Sequence, residues 1–409
     1  MTALFLDAPA RFVVSVLALT IDIGTFNGRV VDGAHRRDWQ KQGAIIRRMR
    51  LHTALLSTST VLCLGLIVAA CSSKPAEPPA PPAPEPLTLP GDPASYAPHP
   101  LIGPMAIPAD NPMTVDKATL GWQLWFDKRL SGKGDRSCYG CHVNEKGLTD
   151  GLVKNTNANT GAPLPRHTPT LWNIGYHTEW YWDGRAKTLE GQALAAWKLA
   201  NMGAKDPMAD KVQDAVIARI NGVPSYAAQF KKVFGGPADE KNVTQALASY
   251  MRTIVSKETP YDRFTAGDAS AMSDTAKRGW QTFQDAKCIN CHKGLLFTDL
   301  SYHNVGIGLV DGKPMDVGRF TVTKEEKDTG AFKTPTLRDV ARSAPYFHDG
   351  SVSSLRDAVT LMAKGGNPNK FLDKTNLEDR KLKPEQISDI VEFLNALTEP
   401  TALKEPKVP

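Results

Sequence analysis

Apolar positions in this chain recur at helical spacing far more than they alternate. Pro384 opens a run in which Ile387, Ile390, Val391, Leu394 and Leu397 share one face, which predicts an amphipathic helix over 384–397. Leu355, Val359 and Met362 follow the Ser353/Ser354 pair at i, i+4 and i+7 and share one face of a second predicted helix. β-branched alternation is scarce, so the chain reads as mainly α. Two stretches break the pattern. Val61–Ala70 is a continuous apolar run, and residues 75–100 contain eleven prolines in 26 positions.

The apolar run follows the basic cluster Arg47-Arg48-Met49-Arg50 and ends at Cys71. A basic start, an apolar core and small residues before a processing point are the secretory pattern. Val68-Ala69-Ala70-Cys71 resembles a bacterial lipoprotein box, with Cys71 as the lipidated residue. The run is shorter than the ~20 residues a membrane span needs. Residues 1–70 therefore read as a leader, with 49–70 the lipoprotein signal and 1–48 an upstream misassigned start. Residues 71–100 read as a lipid-anchored, extended polyproline linker. The expected location is the periplasm, on the membrane through the lipid anchor alone.

Composition narrows the class. At 409 residues, 41% hydrophobic and 22% charged, the chain is long enough for two or three globular domains. The formal charge is +6, but residues 1–70 hold eight basic and four acidic side chains, so the remainder is nearly neutral. Nothing there suggests a nucleic-acid partner.

Of six cysteines, Cys63 lies in the leader and Cys71 is the lipid site. The other four form CYGCH (138–142) and CINCH (288–292). C-x-x-C-H is the attachment signature of c-type haem: Cys138, Cys141, Cys288 and Cys291 supply thioethers, and His142 and His292 ligate iron. A redox dithiol does not require the histidine, and a zinc site built from both pairs leaves both histidines unexplained. Two covalent haems are expected.

The chain also repeats itself. TPTL occurs at 168–171 and 334–337, and WDG (182–184) and HDG (348–350) follow at the same interval. Leu189 and Leu355 continue the 166-residue offset, while GWQ recurs at 121–123 and 279–281. The halves read as diverged duplicates, each a small helical domain around one haem. The expected boundaries are 101–265 and 266–400, with a tail at 401–409. Within the repeat, Met362 can serve as a sixth iron ligand, giving a His/Met haem suited to electron transfer. Core packing is the alternative role for that methionine. Its counterpart is Ala196, which cannot ligate. One haem is then closed and the other open.

These strings, with RHTPTLWN (166–173), WDGRA (182–186), PYDRF (260–264) and FKTPTLRDVARSAPYFHDGS (332–351), resemble the bacterial di-haem cytochrome c peroxidase superfamily, which includes MauG-type oxidases. The resemblance covers roughly 115–400. It implies a peroxidatic N-terminal haem, an electron-transferring C-terminal haem, Trp182 between them, and a calcium ion held by Asn173, Ser343 and Pro345. Ser343 stands where threonine is usual. Met362 falls where the peroxidases carry a ligating methionine and the MauG-type oxidases a tyrosine.

Two departures stand out. The loop after the first CxxCH has no capping histidine before His167, which reads as structural or as a propionate contact. Gln192 matches the family's distal glutamine, but Asn201 occupies the place of the glutamate that moves the proton. Asparagine hydrogen-bonds but does not shuttle protons in that way. Glu179, Glu190 and Asp206 are nearby substitutes, and Trp197 reads as core or pocket wall.

Three functions follow. The first is a peroxidase reducing hydrogen peroxide with electrons from a small cytochrome c or cupredoxin. The second is a MauG-like oxidase acting on a partner protein's side chain. The third is an electron carrier with a decayed pocket. A second copy of the chain is a further candidate partner. Gln192, Asn201 and Trp182 are the candidate catalytic residues.

Overall fold

The computed structural model describes residues 103–398 and 400–409. The leader, Cys71 and the proline-rich linker lie outside the described residues. Ten α-helices and four two-residue strands occur among the described residues, so the structure is mainly helical. None of these helices is long and apolar enough to cross a membrane.

The first half holds α1 (Val115–Phe126), α2 (Leu189–Lys198), α3 (Asp214–Asn221), α4 (Pro224–Phe234) and α5 (Glu240–Met251). Their apolar faces enclose one core, running from Ala118 to Ile254. The second half holds α6 (Pro260–Thr265), α7 (Asp274–Asp285), α8 (Phe320–Thr323), α9 (Leu355–Ala363) and α10 (Pro384–Asn395). A second core, largely aromatic, gathers Tyr261, Phe283, Phe297 and Phe393. β1 (Tyr302–His303) pairs antiparallel with β4 (Phe332–Lys333), and β2 (Leu309–Val310) with β3 (Lys313–Pro314).

The predicted helix over 384–397 is α10, which stops at Asn395 and leaves Ala396 and Leu397 in the following turn. Ile387, Ile390, Leu394 and Leu397 are buried as expected, and Phe393 is buried beside them. Ser354 caps α9 by accepting from the Asp357 N–H. That helix carries Leu355, Val359 and Met362.

The GWQ repeat has a packing cause. A Cβ on Gly121 of α1 would lie 1.9 Å from the Ala246 carbonyl oxygen of α5. A Cβ on Gly279 of α7 would lie 1.8 Å from the Asp389 oxygen of α10. Each glycine lets two helix backbones touch, and the crossing occurs once per half.

The 166-residue repeat appears in the backbone as well. Asn173 and Asp339 are both left-handed, at φ 61° and 62°, and each opens a short 3-10 turn. Tyr181 and Phe347 match at 68° and 67°. The Trp180–Ala186 bridge recurs as Tyr346–Val352. Equal excursions into a region that disfavours side chains are hard to produce by chance.

The tail does not trail. Leu403 exchanges two 2.8 Å hydrogen bonds with the Asn144 carboxamide, and the Trp122 indole donates to the Lys404 oxygen at 2.7 Å. Leu403 and Val408 pack on the first core. The final residues of the second half thus cover α1 of the first.

Candidate haem sites

Each CxxCH lies just beyond the first long helix of its half, α1 or α7, and both histidines are held alike. His142 Nδ1 lies 2.8 Å from the Leu148 oxygen, and His292 Nδ1 lies 2.9 Å from the Phe297 oxygen. A carbonyl accepts only, so each Nδ1 carries the proton and each Nε2 keeps a bare lone pair. Burial lowers both histidines below their ordinary range, which keeps the rings neutral. That is the form a metal requires.

The cysteines are not a reactive redox pair. Burial pushes Cys138 up to about 12, and Cys141 and Cys288 up to about 11. A redox dithiol needs its thiol pKa lowered. The two motifs also belong to separate cores, so they do not converge on a shared zinc site. Beside the first motif, the buried Trp125 Nε1 and Tyr250 Oη have no hydrogen-bond partner, and the Trp125 ring lies 5.8 Å from that of His142. Beside the second, an apolar cavity is lined by Cys288, Cys291, His292, Leu355, Val359 and Met362, with Trp182 on its wall. Covalently attached haem fits both places.

Met362 and His292 therefore face one cavity. Ala196, the counterpart of Met362, sits half-buried on α2. Gln192 lies one turn earlier on α2, half-buried, its main-chain oxygen accepting from the Tyr181 hydroxyl at 3.3 Å. Asn201 is exposed just beyond α2, with its main-chain oxygen 3.4 Å from Arg136 Nη1.

Glu179 and Glu190 are committed to cationic and polar partners. Burial acts to raise Glu179, but Lys187, Tyr302 and Arg319 hold it down at about 2. Burial likewise opposes Arg252 and Asn111 at Glu190, and the two partners, each 2.7 Å away, keep that carboxyl below its ordinary value. Asp206 accepts from the Met208 N–H in its own loop. Trp197 is 2% exposed and donates to the Leu130 oxygen at 2.7 Å, so it is core.

Between the halves, the Trp182 indole donates to the His167 oxygen at 2.9 Å. His167 is buried, its Nδ1 sharing a 2.7 Å hydrogen bond with the Leu152 oxygen. Asn173 is fully buried, and its carboxamide is committed to Ser256: Oδ1 accepts from the Ser256 N–H at 3.0 Å and lies 3.2 Å from its hydroxyl. Ser343 Oγ donates to Val340, and Pro345 follows a cis peptide.

Other charged groups escaped the sequence reading. Arg166 joins Asp183 at 2.7 Å and Asp316 at 2.6 Å, which links the halves. Lys333 is buried and pulled by that burial down to about 8; it donates to the Glu179 oxygen at 2.7 Å. Arg338 and Asp262, both wholly buried, form a two-pronged pair at 2.7 and 2.8 Å. That pair joins the PYDRF string to the arginine that follows TPTL. Of these residues, only those inside the quoted strings left a signal.

The sequence profile of di-haem cytochrome c peroxidase matches residues 115–270, and that of cytochrome c matches 276–398. The chain is 39% identical over 306 residues to the methylamine utilization protein MauG of Methylorubrum extorquens, covering 74% of this chain and 84% of that protein. It is 36% identical to the cytochrome-c peroxidase IdrP1 of Denitromonas iodatirespirans, covering 77% and 91%. Among solved structures, a MauG-like protein associated with microbial copper homeostasis superposes with a TM-score of 0.68 at 29% identity, over 76% of this chain and 97% of that one. The chain belongs to the di-haem cytochrome c peroxidase and MauG family.

Proposed function

We propose that this protein is an exported di-haem peroxidase that reduces hydrogen peroxide at its N-terminal haem with electrons passed through its C-terminal haem. The carrying observation is the pairing of Met362 with His292 on one cavity while the matching position in the other half is Ala196. When bound, the haems would supply iron that exchanges single electrons. His142 and His292 hold the irons through Nε2, each ring oriented by its Nδ1–H to a carbonyl. Met362 would hold the second iron through its thioether, a ligand that favours the reduced state. Gln192 hydrogen-bonds the substrate from α2 and cannot move a proton. The two protons consumed per peroxide are drawn from the solvent proton pool. Two electrons from a small cytochrome c or cupredoxin complete the balance, yielding two waters.

A second reading, oxidation of a partner protein's side chain, draws support from the absence of a loop histidine between His142 and His167 and from the relative named MauG. Stopped-flow mixing of the diferric protein with peroxide separates the two. Rapid consumption only when a reduced monohaem cytochrome c is added supports the peroxidase. A long-lived oxidised species that the cytochrome does not quench supports the oxidase.

The address and the calcium belong to the same proposal. Cys71 carries the lipid that holds the body at the periplasmic membrane face. A calcium ion would be held by Asn173, Ser343 and Pro345, and calcium titration after chelation measures whether it binds.

A further inference from the structure

α9 places Met362 one residue before its end, and the chain beyond it forms a closed loop. Gly365 N–H donates to the Met362 oxygen at 3.0 Å and Gly366 N–H to Leu361 at 3.1 Å, turning the chain outward. It returns at Arg380, whose N–H donates to the Ala363 oxygen at 2.8 Å. Both ends of this loop therefore meet beside Met362.

Residues 303–306, eleven positions beyond His292, hold the loop. Asn367 N–H donates to the Val305 oxygen at 3.1 Å, and Asp373 N–H to the Asn304 oxygen at 3.0 Å. The Asn367 carboxamide donates to the Gly306 oxygen at 2.8 Å, and that of Asn369 to Asn304 Oδ1 at 3.1 Å. A Cβ on Gly306 would lie 2.1 Å from the Asn367 oxygen, so the two backbones are in direct contact.

His303 is the centre of this arrangement. Its Nδ1 lies 2.6 Å from Asp373 Oδ2, on the loop, and its Nε2 lies 3.2 Å from Asp299 Oδ2. Donor atoms of His303, Asp299 and Cys291 all fall within 4.8 Å of one another. Carboxylates on both ring nitrogens require both to carry protons, which makes the ring a cation between two anions. One side of the imidazole is anchored at the haem-attachment motif, and the other holds the loop that begins beside Met362. Cys291, Asp299 and His303 form the only cluster of metal-ligating type among the described residues, and Cys291 there belongs to the CxxCH motif.

We propose that His303 is a positioning residue for the second haem: by clamping Asp373 to Asp299 beside Cys291, it fixes Met362 on the iron opposite His292. This rests on Met362 being the axial ligand, and the test separates the two claims. Holoprotein carrying Met362→Ala, His303→Ala or Asp373→Asn is compared with wild type by the ferric thioether-to-iron absorption band and by imidazole titration of the second haem. Haem content and far-UV dichroism confirm folding, and the size-conserving Asp373→Asn serves if His303→Ala does not fold. Met362→Ala should abolish the band. His303→Ala and Asp373→Asn should keep the band at low temperature, lose it on warming before global unfolding, and bind imidazole at least about tenfold more tightly than wild type. If Met362→Ala abolishes the band while both clamp variants bind imidazole as wild type does, the clamp is wrong and the ligand stands. A band that survives Met362→Ala overturns both.

Discussion

The indole N–H of Trp182 donates to the main-chain oxygen of His167, 2.9 Å away, and the His167 N–H donates in turn to the His348 oxygen at 2.7 Å. Trp182 and His348 both line the second cavity, while His167 belongs to the string that follows the first motif. The aromatic ring between the halves is thus pinned by backbone from both. Trp182→Phe keeps the apolar surface and removes the donor. The expected cost is about 1 kcal/mol of stability, measured by urea unfolding of the holoprotein. Electron transfer from the second haem to the first should also slow, as followed by flash reduction. Unchanged transfer would remove Trp182 from the path.

Met362 is open to a direct exchange. Met362→His replaces thioether with imidazole, so the potential of the second haem should fall and electron delivery should slow. The spin state of the first iron should not move. Spectroelectrochemical titration reads both changes. A potential that stays put would return Met362 to core packing.

Gln192 and Asn201 should separate. Gln192 is half-buried on α2, one turn before Ala196, whereas Asn201 is exposed past the helix end. Gln192→Leu should slow reaction with peroxide on the order of 100-fold, the loss expected for one hydrogen-bond donor at a reacting oxygen. Asn201→Ala should change the same rate by less than about threefold. A large effect at Asn201 would mean that this segment closes over the haem during the reaction.

Glu179 ties the halves together through Tyr302 at 2.5 Å and Arg319 at 2.8 Å. Its carboxyl is held at about 2 against an ordinary 4.5. The folded value lies below the unfolded one, so the stabilisation is complete above about pH 4.5 and is lost as pH falls toward about 2. Glu179→Gln should cost about 1.5–3 kcal/mol at neutral pH and flatten that part of the acid profile. Unfolding measured from about pH 6 to about pH 3 checks it. A variant profile parallel to wild type would place the acid sensitivity elsewhere.

What the sequence made legible was what is local or repeated. CYGCH and CINCH lie within five residues each, and the α10 stripe within one helix. The 166-residue repeat proved deep enough to preserve the left-handed Asn173 and Asp339. The clamp and the Glu179 network were hidden for a different reason. His303 meets Asp373 across 70 positions and Glu179 meets Tyr302 across 123, with no periodicity to join them. Asp262 and Arg338 were visible only as parts of two strings, and their pairing needed the fold. Asn173 was marked by position, but the Ser256 that its carboxamide meets was marked by no motif.

Residues 400–409 are synthesised after everything they cover. Until they emerge, the Trp122 indole lacks the Lys404 oxygen, and Asn144, two positions beyond His142, lacks Leu403. The loop after His142 is thus fastened by contacts made across 259 and 282 positions of sequence, so its order depends on the second half being in place.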